Sequence, residues 1–264
     1  MELTHCENGH GTIPRVEHLL RATARAEAHR HFWFLGFRFF VTPLLRQATR
    51  GLSAACLLDC GCGTGANLGL LGRFGRAYGF DLSEVGPRIG HQSGRRRLAR
   101  ASVAAVPFPA NAFDVVTSFD VLYSLEEAVE RAAVAEMYRV TRPGGYALFN
   151  VAAMESLRGD HSILSHELRR YSRRGLRRLV EGAGFKVVRL TYTNAALFLP
   201  MVAMRALQRA RGLAPEERAQ SEISVPPAPV NGLLTGLLRV ESWWLRLFDS
   251  PFGSSLLCLA RKPE

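Results

Sequence analysis

The segment Leu57-Leu58-Asp59-Cys60-Gly61-Cys62-Gly63-Thr64-Gly65 constrains this chain more than any other. A short apolar run, Cys56 to Asp59, leads into three glycines at alternate positions, and a helical pattern opens at Ala66. Glycine turns a backbone sharply and leaves no Cβ in the path of a ligand. A strand that feeds such a loop and then a helix opens a βαβ unit, so the fold must supply parallel neighbours for that strand.

The following residues repeat the same alternation. Ala77 to Phe80 reads as a second strand ending at Asp81, Ser83 to Leu98 as a polar helix, and a further short strand ends near Ser102. Phe113 to Ser118 is a strand, Glu126 to Val140 a helix, Arg142-Pro143-Gly144-Gly145 a turn and Tyr146 to Val151 a strand. Ser172 to Glu181 is a helix stopped by Gly182 and Gly184, Phe185 to Tyr192 a strand, and Ser255 to Ala260 the last strand. This alternation predicts a parallel sheet with helices on both faces. Between the last two strands lie about sixty residues, too many for a plain loop. They read as a helix from Leu197 to Arg211, a Pro-rich linker at Val225 to Pro229 and an amphipathic helix from Asn231 to Phe248. The apolar face expected of that last helix is Leu233, Leu234, Leu237, Leu238, Leu245 and Phe248. Thr12 to Arg50 is also helical in pattern and dense in rings, from Phe32, Trp33 and Phe34 to Phe40. The expected organisation is therefore a helical extension over residues 1–50 and a main domain over 51–264, with an insert at about 193–252.

Two details indicate what the glycine loop holds. Its spacing is Gly-x-Gly-x-Gly, where a dinucleotide site takes Gly-x-Gly-x-x-Gly. Asp59 stands directly before it, where a carboxylate would repel a pyrophosphate but accept from an ammonium group, and Asp81 ends the next strand, where it can accept from ribose hydroxyls. A ligand with a ribose, a cationic amino-acid end and no phosphate fits both, and S-adenosylmethionine is such a ligand.

The ordered set Leu58 to Gly65, Gly79-Phe80-Asp81-Leu82-Ser83, Val106-Pro107-Phe108, Phe113-Asp114-Val115-Val116 and Arg142 to Gly145 resembles the class I S-adenosylmethionine-dependent methyltransferases of the type 11 group. His31-Phe32-Trp33-Phe34, His166 to Tyr171 and Pro251-Phe252-Gly253 resemble a bacterial subgroup of it. The resemblance implies a Rossmann-like seven-stranded sheet with its last strand antiparallel. It places Asp59, Gly61, Cys62, Gly63 and Gly65 around the methionine end of the cofactor and Asp81 with Leu82 at the ribose. Ser102 and Val103 fall at the adenine, and Phe119 near the sulfonium. Two positions depart from the family: Ser102 stands where an acid usually meets the adenine amino group, and Tyr123-Ser124 where Glu-His is frequent.

Methyl transfer from a sulfonium needs a base only if the acceptor must lose a proton. The candidates are His166 first, with Tyr171 and Tyr123, then His161 and His31; Asp120 reads equally as a helix cap or a site group. The stretch Ser118-Phe119-Asp120-Val121 lacks the Asn/Asp-Pro-Pro-Tyr/Phe pattern of amino methyltransferases. Together with the apolar ends of the chain, this predicts an oxygen or carbon of a small, lipophilic acceptor. The net charge is +11, but 32 of the 34 basic residues are arginines, a genome-composition bias, so a nucleic-acid partner is not expected. An RNA methyltransferase, or a non-catalytic protein that keeps the fold, remains the alternative. Five cysteines with no framework predict a reduced cytoplasmic protein, and the Cys60-x-Cys62 spacing predicts no metal site. The aromatic segment His31 to Phe40 reads equally as a helix packed on the main domain or as a lid, and it is expected to meet the insert Leu197 to Phe248 over the acceptor side of the cofactor, with Phe32, Trp33, Phe34, Phe37, Leu197, Phe198 and Trp244 as the cover. No stretch is long enough to span a bilayer, although the aromatic run and the insert could rest on one. The oligomeric state is not legible.

Overall fold

A computed structural model describes residues 31–159, 162, 167–210 and 225–264. The first described element is α1 (Phe32–Ala48), whose inward positions Gly36, Phe40, Val41, Leu44, Leu45 and Ala48 recur at helical spacing. The ring nitrogen Nδ1 of His31 accepts from the N–H of Trp33 at 3.2 Å and so caps the first turn. Any part of the expected N-terminal helix before residue 31 lies outside the described residues.

The chain then alternates as predicted: β1 (Ala55–Cys60), α2 (Leu68–Leu71), β2 (Gly75–Asp81), α3 (Val85–Gln92), β3 (Leu98–Arg100), β4 (Phe113–Phe119), α4 (Glu127–Val140) and β5 (Thr141–Ala152). After β5 come α5 (Arg173–Gly182), β6 (Lys186–Thr193), α6 (Phe198–Ala210), α7 (Ala228–Trp244) and β7 (Ser255–Arg261). Seven strands form one sheet in the order β3-β2-β1-β4-β5-β7-β6. β1 to β5 pair in parallel, while β7 enters antiparallel between β5 and β6. This is the Rossmann-like sheet, with its last strand reversed, that the sequence implied.

Two boundaries differ from the sequence reading. The helix expected to run to Leu98 stops at Gln92, because Gly94 takes a left-handed φ of +77° and closes it, which frees Leu98 to begin β3. Arg142 to Gly145 is not a turn between elements but a bulge inside β5. Phe113 faces Thr141 and Val115 faces Tyr146, so the extra residues loop out around Gly144, whose φ is +74°.

Alternate side chains of the strands point to two cores. Leu58, Val116 and Phe149 meet Val134 and Met137 of α4 and Leu176 of α5 on one face. Leu57, Val115, Leu148 and Leu257 meet Val41, Leu44 and Leu45 of α1 and Leu238 of α7 on the other. Leu45, Leu57 and Leu148 have no solvent exposure, so each contributes roughly 1.5–3 kcal/mol of burial. α1 is thus a sheet-covering helix along most of its length. Of the two readings of the aromatic segment, the packed helix accounts for Phe40 to Ala48. The amphipathic face of α7 is corrected too: Leu238 and Leu245 are buried, but Leu233, Leu237 and Phe248 are exposed.

Candidate cofactor and acceptor site

β1, β2 and β4 end together at one edge of the sheet, and the glycine loop lies there. The N–H groups of Gly61 and Cys62 both donate to the carbonyl of Phe80 at 2.9 Å, which curls the loop against the end of β2. Gly61, Gly63 and Gly65 have φ of +77°, +53° and +75°, a conformation that side-chain-bearing residues resist. The space beside two of them belongs to protein. A Cβ on Gly61 would stand 2.4 Å from Cγ2 of Val121, and one on Gly65 would stand 2.7 Å from Cδ2 of Leu98. The sequence reading had kept that space for a ligand.

Asp81, at the end of β2, accepts from Gly63 N–H at 2.8 Å and from Ser83 N–H at 2.9 Å. Burial raises its carboxyl above the ordinary range, against these two hydrogen bonds. Each carboxylate oxygen keeps a second lone pair for a donor such as a ribose hydroxyl.

Asp59 is 1% exposed. Its Oδ1 accepts from the hydroxyl of Thr117 on the neighbouring strand at 2.7 Å, and its Oδ2 is buried with no partner. Burial pushes this carboxyl up to about 7, the charge of Asp81 adds to the shift, and the Thr117 bond opposes it. A buried acceptor without a donor is costly, and an ammonium group is the donor that would answer it best.

Around this centre Leu82 is two-thirds exposed, and the Oγ of Ser102 accepts from Ala104 N–H at 3.2 Å. Val103 and Cys62 are buried, the latter with its thiol in the space against Gly79 and held protonated by burial. Phe119 meets the ring of Phe37 edge-on at 4.9 Å, which brings the start of α1 over the end of β4.

Asp120 follows directly. It has a left-handed φ of +60°, its N–H donates to the carbonyl of Asn150 at 2.9 Å, and its Oδ1 accepts from the Asn150 side chain at 2.9 Å. Protein crowds its carboxylate and pushes it up to about 7, with the charge of Glu167 adding, yet the residue stays open to solvent. It caps no helix: the short turn Leu122–Ser124 begins at Val121 with no side-chain cap. Asn150 was missed by sequence reasoning, although its place near the carboxyl end of a strand was visible.

Residues 58–149 match the family described as methyltransferase domain, of type 11. Over those residues the chain is similar to the methyltransferase domains of that family. It is 30% identical over 148 residues to the malonyl-[acyl-carrier protein] O-methyltransferase of Herminiimonas arsenicoxydans, covering 55% of this chain and 56% of that protein. It is 35% identical over 99 residues to the demethylmenaquinone methyltransferase of Geobacillus stearothermophilus, covering 33% of this chain and 41% of that one. The chain therefore spans about half the length of the curated relatives it matches. Among solved structures, a SAM-dependent methyltransferase from Thermotoga maritima superposes with a TM-score of 0.55 at 18% identity, over 95% of this chain and 99% of that one. At that identity the likeness shows the shared fold.

The structure treats the base candidates unequally. His166 and His161 lie outside the described residues. Tyr171 donates its phenol hydrogen to Glu130, which Arg169 pairs at 2.9 Å, and burial with that carboxylate holds the phenol proton on. Tyr123 is buried in the α4 and α5 core, and its carbonyl accepts from Leu168 N–H at 2.9 Å. Of the expected aromatic cover, Phe37 reaches the strand ends and Leu197 is buried in the α1 core, but Trp244 is 58% exposed and stacks on Phe248 instead.

Proposed function

We propose that this protein transfers a methyl group from S-adenosylmethionine to an oxygen or carbon of a small, lipophilic acceptor. The observation that carries the reading is the buried, unpartnered Oδ2 of Asp59 beside a glycine loop that Asp81 ties down. The relatives' names support it, since they include an O-methyltransferase acting on malonyl-[acyl-carrier protein] and methyltransferases named for demethylmenaquinone.

When bound, S-adenosylmethionine supplies a methyl group on a sulfonium already activated for in-line displacement. The chain's own residues bind and align. Asp59 accepts from the ammonium, with Gly61, Cys62, Gly63 and Gly65 around that end of the ligand. Asp81 takes the ribose hydroxyls with its free lone pairs, flanked by Leu82. Ser102 and Val103 border the adenine, and Ser102 offers a hydrogen bond without charge. Phe119 and Phe37 form the apolar roof beside the reacting carbon. Their rings exclude water, and alignment of this kind can supply roughly 7–11 kcal/mol of rate enhancement.

Asp120 is the base in this reading. It is held by Asn150, stands directly after β4 and has a carboxyl pushed up to about 7. It takes the proton that the acceptor oxygen or carbon loses as the new bond forms. His166 is the second candidate for that step. The four described cysteines are free, which fits a reducing, cytoplasmic setting, and no helix among the described residues is long and apolar enough to cross a membrane.

Calorimetry with S-adenosylmethionine, followed by transfer of labelled methyl into a panel of acceptors, tests the reading. Parent protein should bind and Asp59→Asn and Asp81→Ala should bind weakly. A parent that fails to bind at millimolar ligand would end the proposal.

A further inference from the structure

The helix α7 is apolar on two neighbouring faces. Leu234, Leu238 and Leu245 lie against α1 and the sheet. Val230, Leu233, Leu237, Val240 and Trp244, continuing at Leu247 in the next turn, form the second face. Their spacings alternate between three and four residues, so they make one stripe along the helix. All six are exposed, from 41% at Leu237 to 78% at Leu247. An apolar stripe of this length is rare on a protein surface that faces only water.

Charge decides what covers it. Between Ala228 and Phe248 the one acid is Glu241, and it faces inward, where it accepts from Ala195 N–H at 2.9 Å and Ala196 N–H at 3.0 Å. The two basic residues of the segment, Arg239 and Arg246, are exposed, and neither pairs with an acid among the described residues. The guanidinium of Arg239 lies over the rings of Phe39 and Trp243, at 6.0 and 5.7 Å from their centroids. A second copy laid symmetrically on this stripe would bring arginines with it and, of nearby acids, only Asp249, which already pairs with Arg189. Leucine and tryptophan in a stripe with arginines beside it, and the next acid along the chain, the exposed Asp249, already paired to Arg189 at 2.9 Å, suit the headgroup layer of an anionic bilayer.

We propose that α7 docks this protein on an anionic lipid surface, with the stripe at the acyl boundary and Arg239 and Arg246 at the level of the phosphates. Asn231 of the same helix accepts from Phe32 N–H at 2.8 Å. The docked surface therefore lies beside the aromatic roof, where a lipophilic acceptor enters if the site works as proposed above. The docking itself does not depend on that chemistry.

Flotation of the full chain with vesicles tests it, using phosphatidylcholine alone and phosphatidylcholine mixed equally with phosphatidylglycerol. The protein should float with the mixed vesicles and only weakly with the neutral ones. Leu233→Glu with Leu237→Glu should lower binding about tenfold or more, with unchanged melting temperature, because both side chains already face outward. Arg239→Gln with Arg246→Gln should reduce the preference for anionic vesicles by roughly tenfold. Failure of the parent to float overturns the proposal, as does unchanged flotation of the double glutamate variant. A stable dimer that Leu237→Glu dissolves, in a parent that ignores vesicles, overturns it in favour of self-association. Cofactor affinity is measured on the same samples, so a chain that floats without binding S-adenosylmethionine refutes the methyl-transfer reading alone.

Discussion

Thr117 donates its hydroxyl to one oxygen of Asp59 at 2.7 Å, and the pairing of β1 with β4 leaves the other oxygen buried and unanswered. The carboxyl therefore sits at about 7 instead of 3.8. A folded chain that holds a proton the unfolded chain would release loses stability as pH rises through that window. Ligand-free protein should melt at progressively lower temperature from about pH 4 to pH 7. Asp59→Asn should flatten that slope and stabilise the ligand-free protein by roughly 1–3 kcal/mol above neutrality. The same change should weaken S-adenosylmethionine binding on the order of 10²-fold, read by calorimetry.

Gly61→Ala tests the loop. Its φ of +77° and the 2.4 Å approach to Val121 penalise a methyl group twice. We expect a loss of about 2–4 kcal/mol in unfolding free energy. Val121→Ala in the same chain should restore only the steric part. Full tolerance of Gly61→Ala in a denaturant titration would show that the loop is not held in this shape.

Asp120→Asn should lower kcat by about 10²- to 10⁴-fold with cofactor affinity kept. In the parent, activity should rise with pH through about 7, because the base works unprotonated. Asn150→Ala removes a hydrogen bond that favours the carboxylate, so the rise should move to higher pH. An unaltered rate in Asp120→Asn beside a dead His166→Ala would transfer the role to the histidine.

Tyr171→Phe separates structure from chemistry. The phenol serves Glu130, which also binds Arg169. Its loss should cost about 1–2 kcal/mol in a thermal melt and leave kcat near that of the parent. A large fall in kcat at unchanged stability would return Tyr171 to the reaction.

The parts of the fold that were legible in the sequence are those written in local chemistry. The run of strands and helices, the glycine loop and the placing of Asp59 and Asp81 at strand ends follow from periodicity and turn residues. Three things were not legible. The bulge at Gly144 is fixed by its antiparallel neighbour, since Gly144 N–H donates to Lys262 carbonyl at 3.0 Å across more than a hundred residues. The burial of Leu238 but not Leu237 depends on the side from which α1 approaches, which helical spacing alone does not state. Asp120 read equally as a cap or a site group because its partner Asn150 is thirty positions away and its left-handed backbone leaves no mark in the sequence.

Where α1 crosses α7, Gly36 lies so close to Leu238 that an added Cβ would come within 2.3 Å of its Cδ1. One residue farther along α1 the ring of Phe37 meets Phe119 edge-on at 4.9 Å. Position 36 is therefore a spacer that sets the headroom above the end of β4. A larger residue there pushes against Leu238 and shifts Phe37 from its partner, so a change remote from every charged group in the site would reach the end of β4.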